Sequence, residues 1–329
     1  MSKNFLHKIH WYISGTLLLV LVSVVLGVYL YSLQQNQLHK VEFPIMGTVG
    51  AFSVYGNENE LRKAFAIGKA EFDRVNNACS LFNKGSELSR LNAAAGIREF
   101  RCSEMMWTLL KRAEKAYIES DGAFDITVKP LMDLWGFYRK HGSMPPSAAE
   151  IDKVKKSVGF SKLILNEKNR SIRFSVPGMA LDLGGIAKGY AADLAAEALQ
   201  KNNITAGIVD IGGNLRFLKN PPPGKKYYSV AIRDPFAPGK VLDKKLKTAP
   251  GFAVSTSGNY ERVVVLGNKR YGHIISPLTG VPSETVSVTV TARTALDADI
   301  FSTSACLGGK NIADKLRKLH PESEFYFYE

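Results

Sequence analysis

The sequence predicts an α+β fold with a mixed, mostly antiparallel sheet and packed helices. Two observations favour this class: helical and strand-like segments are intermingled, and they do not alternate regularly as βαβ units would. Hydrophobic residues make up 45% of the 329-residue chain, which is enough for a sizeable core and excludes disorder as the main state. No repeat or shift in composition divides the globular part further.

One N-terminal transmembrane helix is expected before this fold, because Trp11 to Leu33 carries no charge. As a helix this stretch would reach about 34 Å, against about 30 Å for the hydrocarbon core of a bilayer. Lys3 and Lys8 precede it, so the positive-inside rule places the globular part on the periplasmic side of the inner membrane. A cleaved signal peptide is the alternative, although no A-x-A-like site follows. The expected organisation is a cytoplasmic N-terminus over residues 1–10, an anchor over 11–33, a linker over 34–44 and one domain over 45–329.

Capping residues and apolar spacing predict the helices of the globular part. An apolar stripe indicates a helix over Glu58–Phe82, and a second helix is expected over Ser103–Glu119. A capping box at Ser147–Glu150 opens a third helix, which Gly159 ends. The polar, irregular stretch Gly122–Leu131 is a candidate binding loop.

Strands are expected mainly in the second half of the chain, where short β-branched runs lie between turn residues. Val286–Val290 alternates apolar and hydroxyl side chains, the period of a strand with one buried face. Ser255–Gly258 and Asp210–Asn214 are small polar turns after strands, and such turns often line ligand clefts. The other expected strands are Leu163–Leu165, Ile172–Phe174, Gly207–Ile211, Tyr228–Ile232 and Val263–Leu266.

The stretch Leu181–Asp193, LDLGGIAKGYAAD, places a carboxylate, two glycines and a lysine directly before a helix. The helix should begin near Gly185 to Lys188, where free N–H groups and the helix dipole attract an anion. Gly184 and Gly185 would let the backbone approach a ligand, and Asp182 suggests a further hydrogen bond or a place beside a metal. A strand-to-helix packing turn is the alternative, since the chain has neither a Walker A loop nor a G-x-G-x-x-G pattern.

Two further segments carry candidate catalytic groups. If Ala298–Gly309 is helical, Asp299 and Thr303 lie one turn apart on one face, and two hard oxygens suit magnesium better than zinc. The alternative is a capping aspartate followed by a polar threonine. His273 lies among glycines and turn residues, where a partly exposed imidazole would act as a base, and a hydrogen-bonded structural histidine is the alternative.

Charge and cysteine content narrow the class of partner. The chain has 43 Lys and Arg against 30 Asp and Glu, and the N-terminal stretch supplies only Lys3 and Lys8, so the globular part is itself basic. We find no nucleic-acid module and expect no nucleic-acid partner. Cys79, Cys102 and Cys306 lack the spacing of a zinc site, and both a Cys79–Cys102 bridge and buried free thiols remain open.

Together these segments resemble the ApbE family, the FAD:protein FMN transferases. The resemblance implies that FAD is the substrate and that, with Mg²⁺, FMN is transferred through a phosphoester bond to a threonine or serine of an acceptor protein, with release of AMP. It also implies acceptors that belong to membrane redox complexes. The motifs that carry the resemblance, in the family's order, are Met46–Thr48, Ser86–Asn92, Gly122–Leu131, Leu181–Asp193, Asp210–Asn214, Ser255–Gly258, His273–Pro282 and Ala298–Gly309.

The resemblance also assigns roles to individual residues. Asp299, Thr303 and the backbone carbonyl of Gly185 correspond to magnesium ligands. His273 corresponds to the base that takes the proton of the acceptor hydroxyl. The residues expected to bind FAD are Met46, Phe82, Ala123, Phe124, Asp125, Asp182, Lys188, Ser257 and His273.

Two positions depart from the family's usual pattern. Phe82 stands where many members have tyrosine, and Ser276 stands where an aspartate usually follows the histidine segment. A serine could orient the histidine or the turn only as a neutral hydrogen-bonding group. Two alternatives therefore accompany FMN transfer: Mg²⁺-dependent hydrolysis of FAD to FMN and AMP, and noncatalytic FAD binding.

Overall fold

The computed structural model describes residues 3–35, 37–139, 142–237 and 239–328, without the side chains of residues 3–14, 31, 34, 35, 243 and 244. The helices are α1 (Lys3–Gln35), α2 (Glu58–Cys79), α3 (Glu87–Ala93), α4 (Glu104–Glu119), α5 (Lys129–Leu134), α6 (Ala148–Lys155), α7 (Ala187–Lys201) and α8 (Ala295–Leu319). The strands are β1 (Leu38–Ile45), β2 (Thr48–Tyr55), β3 (Phe100–Arg101), β4 (Leu163–Asn166), β5 (Ser171–Phe174), β6 (Gly207–Ile211), β7 (Asn214–Phe217), β8 (Tyr228–Arg233), β9 (Val241–Thr248), β10 (Ala253–Gly258), β11 (Val263–Leu266), β12 (Lys269–Gly272), β13 (Ser287–Ala292) and β14 (Glu324–Tyr328).

A seven-stranded sheet in the order β1-β2-β6-β7-β10-β13-β14 forms the centre of the globular part. Each neighbouring pair of its strands is antiparallel. Three smaller sheets, β3-β5-β4, β8-β9 and β11-β12, are antiparallel as well, and an isolated bridge between Ala206 and Asn220 is parallel. The predicted α+β class with a mostly antiparallel sheet is confirmed.

Helices α2, α7 and α8 cover one face of this sheet, and the β8-β9 hairpin covers the other. On the helix side, the rings of Phe52 and Phe72 stack at 5.3 Å and join β2 to α2. On the hairpin side, Phe217 stacks on Tyr228 at 4.7 Å. Because both faces are covered, β13 is buried along its whole length. The prediction of one exposed face for Val286–Val290 is therefore wrong.

Three other segments differ from the sequence predictions. Leu38–Ile45, which takes up most of the predicted linker and the first residue of the predicted domain, pairs with β2 along its full length, because an edge strand tolerates charged side chains at its solvent side. Ser255–Gly258 is part of a central strand and not a turn, since its hydroxyl groups bond neighbouring side chains inside the protein. The C-terminal part of Gly122–Leu131 is helical, with a 3₁₀ turn at Ile126–Val128 followed by α5.

The other predicted helices are confirmed, and their caps explain where they begin and end. Ser103 caps α4, and Ser147 and Glu150 form the predicted capping box of α6. The helix predicted to reach Phe82 ends earlier, at Cys79, because the hydroxyl of Ser80 accepts the amide N–H of Phe82 at 3.2 Å.

The N-terminal part of the chain forms the continuous helix α1. Within the described residues, no helix was found that has both the length and the apolar character of a membrane span. The predicted anchor over 11–33 includes residues 11–14 and 31, whose side chains lie outside the described part. Residues 1 and 2 of the predicted cytoplasmic segment and residue 36 of the predicted linker also lie outside it.

Candidate active site

A cavity of about 1890 Å³ opens beside the N-terminus of α7. Small-molecule sites commonly occupy about 300–1,000 Å³, so this one has room for a dinucleotide and a segment of a second molecule. It collects eleven of the twelve residues predicted for the site: Met46, Phe82, Phe124, Asp125, Asp182, Gly185, Lys188, Ser257, His273, Asp299 and Thr303.

The position of α8 is fixed by groups at its first turn. Thr294 is the capping residue, and its hydroxyl accepts the amide N–H of Asp297 at 3.0 Å. Asp193, at the end of the LDLGGIAKGYAAD motif on α7, accepts the next two free amides, those of Ala295 at 2.9 Å and Leu296 at 2.8 Å. Asp299 is therefore not a cap, and that alternative is wrong.

The carboxylate of Asp299 lies where α7 and α8 cross. Its side chain is buried, with 2% of the residue exposed. Oδ2 accepts the amide N–H of Gly189 at 3.0 Å, and the Nζ atom of Lys188 lies 3.6 Å from Oδ1. A side chain on Gly189 would overlap the carbonyl group of Ala295, so only glycine allows the helices to approach this closely.

Gly185 and Thr303 face each other beside this carboxylate. A Cβ added to Gly185 would lie 3.3 Å from Thr303 Oγ1 and 3.3 Å from the ring of Phe124, so any side chain at this position would crowd both groups. In the described part of the chain, no cluster of three or more His, Cys, Asp and Glu side chains could hold a metal. The predicted set is of another type, with one carboxylate, one hydroxyl and one backbone carbonyl.

Asp182 holds the glycine turn that precedes α7. Its Oδ1 accepts the amide N–H of Gly184 at 2.8 Å, and its Oδ2 accepts the hydroxyl of Tyr138 at 2.7 Å. Burial and the Asp182 carboxylate raise the pKa of Tyr138, so the phenol keeps the proton that it donates. Tyr138 is not predictable from the sequence, because it lies 44 residues from its partner and has no local motif.

His273 follows β12 directly and lies between cationic groups. Burial, together with the charges of Arg262 and Lys188, lowers its pKa to about 4, so the imidazole is neutral at pH 7. Nδ1 is buried and has no hydrogen-bond partner among the described residues. The ring of Phe137 lies at 6.4 Å, edge on. Nδ1 is therefore available to accept a proton, while a hydrogen bond with the backbone of Arg262 acts in the opposite direction and raises the pKa. The role of His273 as a base stays a prediction.

Comparison with known proteins identifies the group to which these features belong. A family model described as the ApbE family matches residues 46–327. The chain belongs to the ApbE family. Its curated relatives include an FAD:protein FMN transferase of Klebsiella pneumoniae, 31% identical over 276 residues that cover 82% of this chain and 83% of the relative.

Solved structures of the family have the same fold. The ApbE protein of Thermotoga maritima has a TM-score of 0.81 and 30% identity, covering 88% of this chain and 94% of its own. A flavin transferase ApbE from Vibrio cholerae has a TM-score of 0.77 and 26% identity, covering 88% and 94%. The resemblance read from the sequence motifs is confirmed.

Ser276, which departs from the family's usual aspartate, serves its own turn. Its Oγ accepts the amide N–H of Thr279 at 3.2 Å, and its backbone N–H bonds the carbonyl of Val281 at 2.9 Å. An aspartate carboxylate would accept the same amide. Phe82, the other departure, is 77% exposed at the cavity and lies edge on to Tyr138, with 5.8 Å between ring centroids.

Two residues predicted to bind FAD, Asp125 and Ala123, make contacts within the protein or are buried. Both carboxylate oxygens of Asp125 accept protein groups: Oδ1 bonds the amide of Thr127 and Oδ2 that of Phe160, each at 2.8 Å. Ala123 is 4% exposed and is not among the described residues that line the cavity, so its contact with FAD stays a prediction. Their motif, Gly122–Leu131, is compact because Asp125 folds it around its own carboxylate. For the remaining predicted residues, ligand binding stays a prediction.

The charge of the cavity differs from that of the whole chain. Among the described residues, its lining contains six Lys and Arg residues and eight Asp and Glu residues, although the chain carries a formal charge of +13. The basic excess therefore lies elsewhere.

The three cysteines are free and buried, and burial raises the pKa of each thiol to about 12.

Proposed function

We propose that this chain transfers FMN from FAD to a threonine or serine hydroxyl of an acceptor protein and releases AMP. The observation that carries the proposal is the neutral His273, with its free Nδ1, in the same cavity as the Gly185, Thr303 and Asp299 cluster. Relatives named FAD:protein FMN transferase support it. The cavity volume, about twice that of an ordinary ligand site, suits a dinucleotide together with an acceptor segment.

Mg²⁺ fits the donor groups that the cavity presents. Asp299, Thr303 and the carbonyl of Gly185 would hold it, since hard oxygens are the ligands that it prefers. Asp299 Oδ2 accepts the amide of Gly189, whereas Oδ1 has the ammonium group of Lys188 at 3.6 Å, which a bound cation would displace. Glycine at position 185 keeps a side chain from crowding Thr303 Oγ1. Bound Mg²⁺ would offset the charge of the pyrophosphate and of the departing AMP. Among the described lining residues, acidic side chains outnumber basic ones, so a cation would also offset their repulsion of the phosphates.

His273 supplies the proton acceptor for the transfer. An aliphatic hydroxyl is a weak nucleophile at neutral pH, and a positioned base is worth about 10²–10⁴ in rate. The acceptor oxygen attacks the phosphorus of the FMN half, its proton passes to the imidazole, and the bond to the AMP phosphate breaks. A bound pyrophosphate raises the pKa of the imidazole by offsetting the nearby cations Arg262 and Lys188, which strengthens the base when substrate is present.

Incubation of the full chain in detergent with FAD, Mg²⁺ and a candidate acceptor tests the proposal. A fluorescent, FMN-labelled acceptor and equimolar AMP are expected. Free FMN with AMP and no labelled acceptor would identify a hydrolase instead, and unchanged FAD would identify a binding protein. In His273→Ala, labelling should slow by about a hundredfold or more while FAD remains bound.

The membrane location is a further part of the proposal. The uncharged stretch 11–33 and the exposed leucine and valine side chains of α1, such as Leu17 and Leu21, support an inner-membrane anchor with the domain outside the cytoplasm. Acceptors would then be extracytoplasmic parts of membrane redox proteins. Protease added to intact spheroplasts should digest the domain; protection until lysis would reject this orientation.

A further inference from the structure

A series of four hydroxyl groups runs from the cavity into the core and ends at an amide oxygen. Thr303 Oγ1 lies 3.2 Å from Ser257 Oγ, which lies 2.8 Å from Ser302 Oγ. Ser302 Oγ lies 3.3 Å from Ser255 Oγ, and Ser255 donates to Oδ1 of Asn214. We call these four hydroxyls and the Asn214 amide the hydroxyl series. The three serines and the asparagine are buried, and only the Thr303–Ser257 end of the series reaches the cavity.

The amide at the inner end sets the direction of every bond in the series. Asn214 Nδ2 donates to the carbonyl oxygen of Ile211 at 3.3 Å, and this bond turns Oδ1 toward Ser255. An amide oxygen only accepts hydrogen bonds. Ser255 must therefore spend its single proton on Asn214, and it can only accept from the next hydroxyl.

The donor direction at Ser255 also fixes the donor direction of the other hydroxyl groups, up to Thr303 at the cavity. Ser302 directs its single proton inward, toward Ser255 at 3.3 Å and the carbonyl oxygen of Asp299 at 3.1 Å, so it accepts a proton from Ser257. The series has four oxygen–oxygen contacts and four hydroxyl protons, one from each hydroxyl group. The Asn214 oxygen at its inner end carries no proton. Only one arrangement gives each contact a proton: each hydroxyl donates inward, and Thr303 donates to Ser257.

The lone pairs of Thr303 Oγ1 are then directed away from the core. Thr303 and Gly185 both line the cavity, and a Cβ on Gly185 would lie only 3.3 Å from this oxygen, so glycine keeps a side chain from crowding it. A metal cation binds a hydroxyl through a lone pair and is repelled by its proton. We propose that Asn214, Ser255 and Ser302 are positioning residues that hold the Thr303 hydroxyl as a lone-pair donor toward the divalent cation, an inference that rests on the proposed function.

Two neighbouring serines of α8 provide a matched test. Ser302 and Ser304 are both fully buried, and both donate to a backbone carbonyl of the same helix, Ser302 at 3.1 Å and Ser304 at 2.7 Å. Only Ser302 belongs to the hydroxyl series. The probe is Mn²⁺, titrated by electron paramagnetic resonance into the full chain in detergent, with and without FAD, and without acceptor so that no turnover contributes.

We expect Ser302→Ala to weaken Mn²⁺ binding by about ten- to a hundredfold, the usual effect of losing an outer-shell partner, and Ser304→Ala to stay within about twofold of the unsubstituted protein. Thermal melting of both variants controls for folding. Asn214→Leu interrupts the series at its other end and should show the same loss. Because the bonds act in series, the double variant Asn214→Leu with Ser302→Ala should lose no more than either single variant.

Equal Mn²⁺ affinity in Ser302→Ala and Ser304→Ala would overturn the inference and leave FMN transfer intact. Additive losses in the double variant would also overturn it, because independent packing defects add. If the unsubstituted chain binds no Mn²⁺ with FAD present, the metal assignment of the proposed function fails, and the role of the hydroxyl series fails with it.

Discussion

The low pKa of His273 predicts a specific loss of stability in acid. Its folded-state pKa is about 4, against 6.5 for the unperturbed group, because burial and the cations Arg262 and Lys188 disfavour the imidazolium. The unfolded chain therefore binds the proton first as pH falls. The contribution of this group to stability is present above pH 6.5 and is lost as pH falls toward 4. Between pH 7.5 and pH 4.5 the linkage amounts to about 2.5 kcal/mol.

Urea denaturation of the unsubstituted chain and of His273→Gln at pH 7.5 and pH 4.5 measures this loss. The glutamine variant does not titrate, so its free energy of unfolding should fall by about 2.5 kcal/mol less over the same interval. All other titrating groups cancel in this difference. Arg262→Met removes one of the cations and should shrink the difference by raising the pKa of His273. An equal fall in the free energy of unfolding between pH 7.5 and pH 4.5 in the unsubstituted chain and in His273→Gln would refute the reasoning. An NMR titration of His273 with a midpoint near pH 6.5 would refute it as well.

Three further substitutions test the surroundings of the site. Gly185→Ala places a methyl group 3.3 Å from Thr303 Oγ1, so Mn²⁺ affinity should fall by about tenfold or more with little change in melting temperature. Asp193→Ala removes the acceptor of two free amides of α8, those of Ala295 and the next residue, and should lower the free energy of unfolding in urea by about 2 kcal/mol. Ser276→Asp should change the rate of acceptor labelling by less than about threefold, because Ser276 bonds only its own turn; a large gain would show that the aspartate acts on the histidine.

Helices could be predicted where capping residues and apolar spacing lie close together in the sequence. The capping box at Ser147–Glu150 and the apolar stripe of Glu58–Phe82 gave helices because both depend on residues three or four positions apart. Strands β1 and β10 were not recognised, because their charged or hydroxyl side chains are unlike an ordinary buried strand. β10 is a strand because it pairs with neighbours distant in sequence, as Ser255 does with Val290, whereas β1 is a strand because it forms a hairpin with β2 across a two-residue turn.

Site residues within short motifs could also be predicted, whereas those brought to the site by long-range contacts could not. The motif carrying Asp182 and Gly185 and the segment carrying Asp299 were visible as short runs of reactive residues. Partners such as Tyr138 could not be found, because a single tyrosine 44 residues away from its carboxylate has no local pattern. Asp125 shows the converse: its motif is recognisable, but the bonds from the backbone amides of Thr127 and Phe160 to its two carboxylate oxygens could not be predicted.

The crossing of α7 and α8 explains why two motifs more than a hundred residues apart behave as one unit. Gly189 lets the helices touch and donates its amide to Asp299, and one turn later Asp193 accepts the free amides at the start of α8. The same contacts bring Lys188 within 3.6 Å of the Asp299 carboxylate. A substitution at Gly189 or Asp193 would therefore shift Asp299, a predicted metal ligand, although neither Gly189 nor Asp193 is itself predicted to bind the metal. The glycines and the second aspartate of LDLGGIAKGYAAD thus have distinct physical tasks: Gly185 keeps a side chain from crowding Thr303 Oγ1, and Gly189 and Asp193 position the helix that faces it.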